Sequence, residues 1–377
     1  MISRTSKGAC MALFIAGLFV LSAFIVMPVD VEGADTSFTI TDQKGNTVTF
    51  DGPVDHIITI GKGVTATTIQ LGQVDKIVVA DKYSNTDTSS IFDALRARVE
   101  AGNATAGGTI YTSGSDLLKK EIVDAADNGK FDMKKDVILL TGADTYLVKG
   151  GLIDYFQGLG FRVLAWNDMY EYEDIIALVS NISMIVTGKV SSDVDEMRSV
   201  GEKIKTKLSD EGVTDDKKTK AFYVTYSGNV FKVGNKGSIA TSMIEVAGGN
   251  AITVDPSKSA STYEANLTEI IEKHGKDVII FADNTIIKND DYLAQLKQAV
   301  GDEVKVIALD PLWNNYSIES MEGVKTMAGA MYPDYFPEWD TSGSTDSGSK
   351  DIAIYISAAV GACVLILCAA VYFMRRN

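Results

Sequence analysis

Trp166 and Trp313 each follow a short apolar run, at residues 161–165 and 304–309, and side chains of this kind close on flat or bulky ligands. Lys62 and Lys236, at comparable places, would meet acidic groups on such a ligand. The same loop positions carry Tyr83, Thr141, Asp144, Asn167 and Tyr170 in the first part of the chain. In the second part they carry Tyr226, Asp283, Asn314 and Tyr316. This is chemistry for holding a molecule rather than reacting with it. There is no nucleophile elbow and no zinc-protease motif, and Gly61-Lys62-Gly63 is too short for a phosphate fingerprint. A carrier of bare zinc or manganese needs several imidazoles or thiolates, yet between the apolar ends of the chain only His56 and His274 occur, with no cysteine. The metal ligand set is therefore expected to be none, and the ligand is expected to be a metal already held in an organic chelator, or a macrocycle.

Elements must bring those residues together, and the chain repeats itself in a way that does so. Glu121-Ile122-Val123, then Lys135-Asp136-Val137-Ile138, an amphipathic stretch around Leu152 and Phe156, and a strand at 161–165 form one series. Glu269-Ile270-Ile271, Lys276-Asp277-Val278-Ile279, a helix around Tyr292 and Leu296, and a strand at 304–309 form a second. Between them, Val190, Val194, Met197, Ile204 and Leu208 fall at helical spacing, with Ser191, Ser192 and Asp193 as capping oxygens and Gly212 as a stop. The expected fold is α/β: two Rossmann-like lobes, at 34–188 and 213–340, joined by one long linker helix at 189–212. In open sheets of this kind ligands bind outside the carboxyl ends of the strands, so two facing lobes would enclose a cleft lined by the residues named above.

The first lobe opens with an alternating hairpin, residues 37–50, followed by a strand at 56–60, the Gly61-Lys62-Gly63 loop, a helix at 65–71 and a strand at 76–80. Residues 84–135 read as extra loops and a helix. The second lobe begins with a strand at 221–225, and Tyr226-Ser227-Gly228-Asn229 is expected to mirror Gly61-Lys62-Gly63.

The net charge is −15, and the acidic excess lies in the interior of the chain. Such a surface excludes nucleic acid as a partner, since that binding needs lysine and arginine against phosphates. Residues 9–29 form an apolar run after Arg4 and Lys7, read as a signal peptide over 1–33, with an uncleaved signal anchor as the alternative. Residues 352–374 carry no charge and precede Arg375 and Arg376, which reads as a single-pass anchor in the cell membrane with the globule outside. A Ser/Thr/Gly tether at 341–351 would join the two. The cysteines, Cys10, Cys363 and Cys368, all fall in the apolar ends, so no disulfide is expected in the globule. Asn103, Asn181, Asn266 and Asn315 begin sequons, in keeping with an exterior location.

Thr41-Asp42 through Gly45 and Val48, then His56-Ile57-Ile58, Leu71-Gly72, the strand at 76–80, and later Gly237-Ser238-Ile239 and Ala247-Gly248-Gly249-Asn250, appear in a familiar order. In these the chain resembles the class III substrate-binding proteins of ABC importers, over about residues 37–335. His56 stands where that family usually carries an arginine. The resemblance implies a non-enzymatic monomer that captures an iron chelate (a siderophore), or alternatively cobalamin, another corrinoid or haem, with no covalent cofactor. It further implies delivery to an ABC permease and its ATPase, docked through one carboxylate on each lobe. Glu121 and Glu269 occupy those places, although one position later than the family pattern; Asp116, Lys120 and Thr268 are the alternatives. The apolar C-terminus, the sequons and the acidic surface resemble those of archaeal members. A surface adhesion or ligand-sensing protein is the remaining reading outside transport.

Overall fold

The computed structural model describes residues 37–111, 114–142, 147–167, 169–254, 261–314 and 316–340. The expected signal, tether and anchor lie outside the described residues, as does Asp144. Among the described residues no helix is long and apolar enough to cross a membrane.

Strands β1 (Phe38–Thr41) and β2 (Thr47–Phe50) form the expected antiparallel hairpin. Asp42 fixes it: its carboxylate accepts from the backbone N–H groups of Lys44 and Asn46 across the turn, and from that of Ala165, 2.9 Å away in the first sheet. The first half then runs β3 (Ile57–Ile60), α1 (Lys62–Gln70), β4 (Ile77–Ala80), α2 (Lys82–Thr86), α3 (Asp93–Glu100), α4 (Ser115–Asp127), β5 (Val137–Thr141), α5 (Leu152–Gly158) and β6 (Val163–Trp166). Its four strands pair in parallel in the order β4-β3-β5-β6. Short, wholly buried strands suit this arrangement because both faces are covered. Val137 and Leu139 face a core shared with the hairpin and α1, while Ile138 and Leu140 face one shared with α4 and α5.

Helices α6 (Tyr172–Thr187) and α7 (Ser192–Asp210) follow. The expected linker helix is α7, but it is not a free spacer. Val194, Met197, Val200, Ile204 and Leu208 all pack into the core of the second half. Val190 lies outside the helix and is exposed. The bridging element is α6, which the sequence reading missed. Ile175, Ile176 and Val179 join the second half's core, while Leu178, Ile182, Ile185 and Val186 join the first half's. Gly188, at φ 76, turns the chain from α6 into α7.

The second half comprises β7 (Lys220–Ser227), β8 (Val230–Gly234), α8 (Ile239–Val246), β9 (Asn250–Ala251), β10 (Thr262–Glu264), α9 (Leu267–His274), β11 (Ile279–Asp283), α10 (Asn284–Ile287), α11 (Asp290–Val300), β12 (Lys305–Leu309) and α12 (Ser320–Met331). Strands β9, β7, β11 and β12 pair in parallel in that order. This is the order of β4, β3, β5 and β6, so the repeat seen in the sequence is a repeat of topology. The second half adds β8 and β10, paired antiparallel beside β7.

That addition corrects one expectation. Tyr226-Ser227-Gly228-Asn229 is not the counterpart of Gly61-Lys62-Gly63 but the turn of the β7–β8 hairpin. Gly228 and Asn229 take φ of 67 and 64, the two consecutive positive values that a tight hairpin of this hand requires. The true counterpart is the chain between β8 and α8, around Lys236.

Candidate functional site

The carboxyl ends of β3, β4 and β5 open into a cavity of ≈ 490 Å³, the size of small-molecule pockets. Its floor is a close approach of two chain segments. Gly61 follows β3 with φ 108, and a Cβ there would lie 2.1 Å from Thr141 Oγ1 and 2.7 Å from the Thr141 carbonyl oxygen at the end of β5. Glycine is required on both counts. The Gly61 N–H donates to Asp81 Oδ2 at 2.8 Å. Asp81, buried just past β4, accepts in addition from the Tyr83 and Ser84 N–H groups and from Ser84 Oγ. One carboxylate thereby ties the β3 loop to the start of α2.

Lys62 is the first residue of α1, not part of an open loop, and its ammonium is 2.5 Å from Asp87 Oδ2. Asp87 is held in turn: its Oδ1 accepts from the Ser89 N–H at 2.9 Å, and Arg96 donates to the Asp87 and Ser89 carbonyl oxygens. Tyr83 lies on α2 with its ring edge-on to Tyr111, centroids 5.4 Å apart, and both are exposed on the cavity wall.

Tyr111, with Thr109 and Ile110, comes from the stretch that exceeded the expected core. The segment before it runs beside β4: the Ala80 N–H donates to the Thr105 carbonyl, and that of Thr105 to Val78. Gly107 and Gly108 then lie against α4, where a Cβ on Gly108 would sit 2.3 Å from the Leu118 backbone. Glu121 clamps this turn, its carboxylate accepting from the N–H groups of Gly107 and Gly108 at 2.9–3.3 Å. Burial raises its pKa, and those same hydrogen bonds oppose the rise. A side chain so engaged faces the loop, not a partner protein. Glu269 is exposed but accepts from Asn266 Nδ2 at 2.9 Å, within the cap of α9. Among the alternatives, Asp116 is almost fully exposed on α4 and Lys120 pairs with Asp124.

The second half contributes Tyr316, which lines the cavity and packs against the cores of both halves. Its backbone is left-handed, φ 59, an arrangement that non-glycine residues hold only when their surroundings fix it.

Of the residues expected in a cleft, the structure gathers Lys62, Tyr83, Thr141 and Tyr316. It places the tryptophans elsewhere. Trp166, 3% exposed, points into the first half's core among Leu178 and Ile182. Trp313 is half-buried against α12, where Gly323 leaves room for it. The two do not form opposing jaws: Trp166 is the last residue of β6 and packs into the core, whereas Trp313 lies in the turn beyond the end of β12 and packs on α12. Asn167 is buried beside Trp166, and Tyr170 is exposed before α6. Tyr226 lies tilted against Tyr292, 4.1 Å between centroids, and edge-on to Phe231. Lys236 is exposed ahead of α8. Asp283 caps α10 through Thr285 and accepts from Tyr223 Oη, whose pKa rises through burial and then through the Asp283 charge. Asp81 could have been found by the strand-end rule, since it follows β4 directly. Tyr111 had no such signal. His56 pairs with buried Asp136 at the opposite ends of the strands from the cavity.

No family model matches the chain, and no curated protein matches it. Solved structures do. Helicobacter pylori CeuE, in a nickel–histidine complex, aligns with TM-score 0.55 at 14% identity, over 81% of this chain and 91% of that one. An ABC-type Fe3+-hydroxamate transport protein from Saccharomonospora viridis aligns with TM-score 0.52 at 15% identity, over 78% and 98%. A periplasmic haem-binding protein from Pseudomonas aeruginosa aligns with TM-score 0.52 at 12% identity, over 75% and 94%. The chain has the fold of periplasmic solute-binding proteins. The neighbours described by compartment are periplasmic, and no described helix could cross a membrane. The expected cell-membrane location is corrected on these two findings; the residues expected to form the anchor lie outside those described.

Proposed function

We propose that this protein is the solute-binding component of an ABC importer and captures a metal chelate or corrinoid in the cavity between its halves, for delivery to a permease driven by its ATPase. The observation that carries the reading is the cavity at the carboxyl ends of β3, β4 and β5, walled by Lys62, Tyr83, Tyr111 and Thr141 and met from the second half by Tyr316. The position is where open α/β sheets take ligands, and the side chains there offer ring faces, hydroxyls and one ammonium. The described lining residues offer no thiol or imidazole, so the cargo arrives with its metal already coordinated. Solved proteins of the same fold include ones described as binding haem and as transporting Fe3+-hydroxamate, which supports this class of cargo.

Native mass spectrometry of the protein with ferric siderophores, haem and cobamides tests the reading. A one-to-one adduct is expected with one class, lost when Tyr83 and Tyr316 are both replaced by alanine. Absence of any adduct across the panel would sink it.

A further inference from the structure

The cavity has an unusual charge balance for a site expected to meet acidic groups. Lys62 is the one lysine or arginine among its described lining residues, and Asp81 is the one carboxylate. The Lys62 ammonium does not point free into the cavity but is bonded to Asp87 at 2.5 Å, with the Asp87 side chain only 16% exposed. Asp87 is fixed in that position before any ligand arrives, by the Ser89 N–H on its other oxygen and by Arg96 on its backbone carbonyl. Arg96 is itself spent on the Asp87 and Ser89 carbonyls and on Asp93, so it supplies no second cation.

We propose that Asp87 sets the charge selectivity of the cavity, holding Lys62 so that the site admits electroneutral chelates and turns away anionic ones. This rests on the carrier reading above and narrows it. An anionic ligand could reach Lys62 only by taking it from Asp87, and a half-buried carboxylate stripped of its partner is costly. An electroneutral ligand leaves the pair intact and binds through the rings of Tyr83 and Tyr111 and the hydroxyl of Thr141. Discrimination then comes from the penalty imposed on the wrong ligand as much as from contacts to the right one. The net charge of −15 adds long-range repulsion in the same direction.

The test compares ferrichrome, an electroneutral ferric trihydroxamate, with trianionic ferric tris-catecholate, by calorimetry at fixed ionic strength. Wild type should prefer ferrichrome. Asp87→Asn, which keeps an oxygen for the Ser89 N–H, should shift the ratio of affinities toward the trianion by about tenfold or more, the scale of one freed charge-assisted hydrogen bond. Adding Lys62→Gln to that variant should erase the shift. Lys62→Gln alone should widen the preference for ferrichrome, which keeps the proposal testable even where Asp87→Asn fails to fold. A wild-type preference for the trianion, or a ratio unmoved by these changes while chelates still bind, would overturn the proposal and leave the carrier reading standing. If neither chelate binds any form of the protein, the proposal falls, and the carrier reading falls with it only if haem and cobamides also fail to bind.

Discussion

Gln70, in the last turn of α1, donates from Nε2 to Glu319 Oε1 at 2.9 Å, so a side chain of the first half is bonded directly to the residue that opens α12 in the second. The contact lies beside Tyr316, three residues before Glu319. The relative position of the halves, and with it the cavity, therefore depends in part on a half-buried glutamate.

Burial raises the Glu319 pKa, as do the Glu322 and Asp310 carboxylates, against the opposing pull of the Gln70 hydrogen bond and Lys325. The folded state thus holds this proton more tightly than the unfolded chain does. The resulting stability is complete below the unfolded glutamate pKa of about 4.3 and is lost as pH rises through the folded value. Glu319→Gln, which keeps the acceptor and removes the charge, should abolish that dependence. Thermal melts of both forms from acid to neutral pH should show the variant gaining on wild type as pH rises, and equal slopes would refute this.

Glu121 holds the Gly107-Gly108 turn that leads into Thr109, Ile110 and Tyr111. Glu121→Ala leaves two backbone donors without their acceptor, which should cost about 1–3 kcal/mol and loosen the cavity wall. Glu121→Gln, which retains one acceptor oxygen, should cost less. Urea denaturation gives the ranking. A docking role alone would leave the midpoint where it was.

Gly61→Ala meets Thr141 at contact distances no Cβ tolerates, in addition to its left-handed backbone. Gly45→Ala has a comparable φ of 83 and open space around it, so it carries only the backbone cost of about 1–3 kcal/mol. The difference between the two midpoints measures the steric part. Equal losses would mean that the β3 and β5 ends separate easily.

Trp166→Ala should destabilise the first half by about 3–5 kcal/mol, as expected for a large core residue. At a temperature where the variant remains folded, its affinity for the cargo should stay near that of wild type. A Tyr316→Ala variant should show the reverse, with affinity lost and stability less affected. Calorimetric binding and denaturation on the same two variants separate these outcomes.

The sequence by itself determined the parallel strands, the internal repeat and the end of the sheet at which the cavity opens. Each of these follows from local pattern: unbroken apolar runs such as 137–140 require cover on both faces, and strand ends mark the crevice. It also put Lys62, Tyr83 and Thr141 at one end of the first sheet, where they line the cavity, because each lies within three residues of a strand end. Only the tertiary structure decided which neighbouring side chains reach the cavity. Trp166 and Thr141 are register partners at the ends of adjacent strands and share a sheet face, yet Trp166 is packed among the side chains of α6 while Thr141 lies under Gly61 at the floor of the cavity. Tyr111 and Glu121 meet the cavity and its supporting turn through an excursion of more than 50 residues between β4 and β5, measured against typical crossovers of a dozen or more. The same limit explains α6 and α7: their helical periodicity is local, but which core each face enters depends on packing between distant segments.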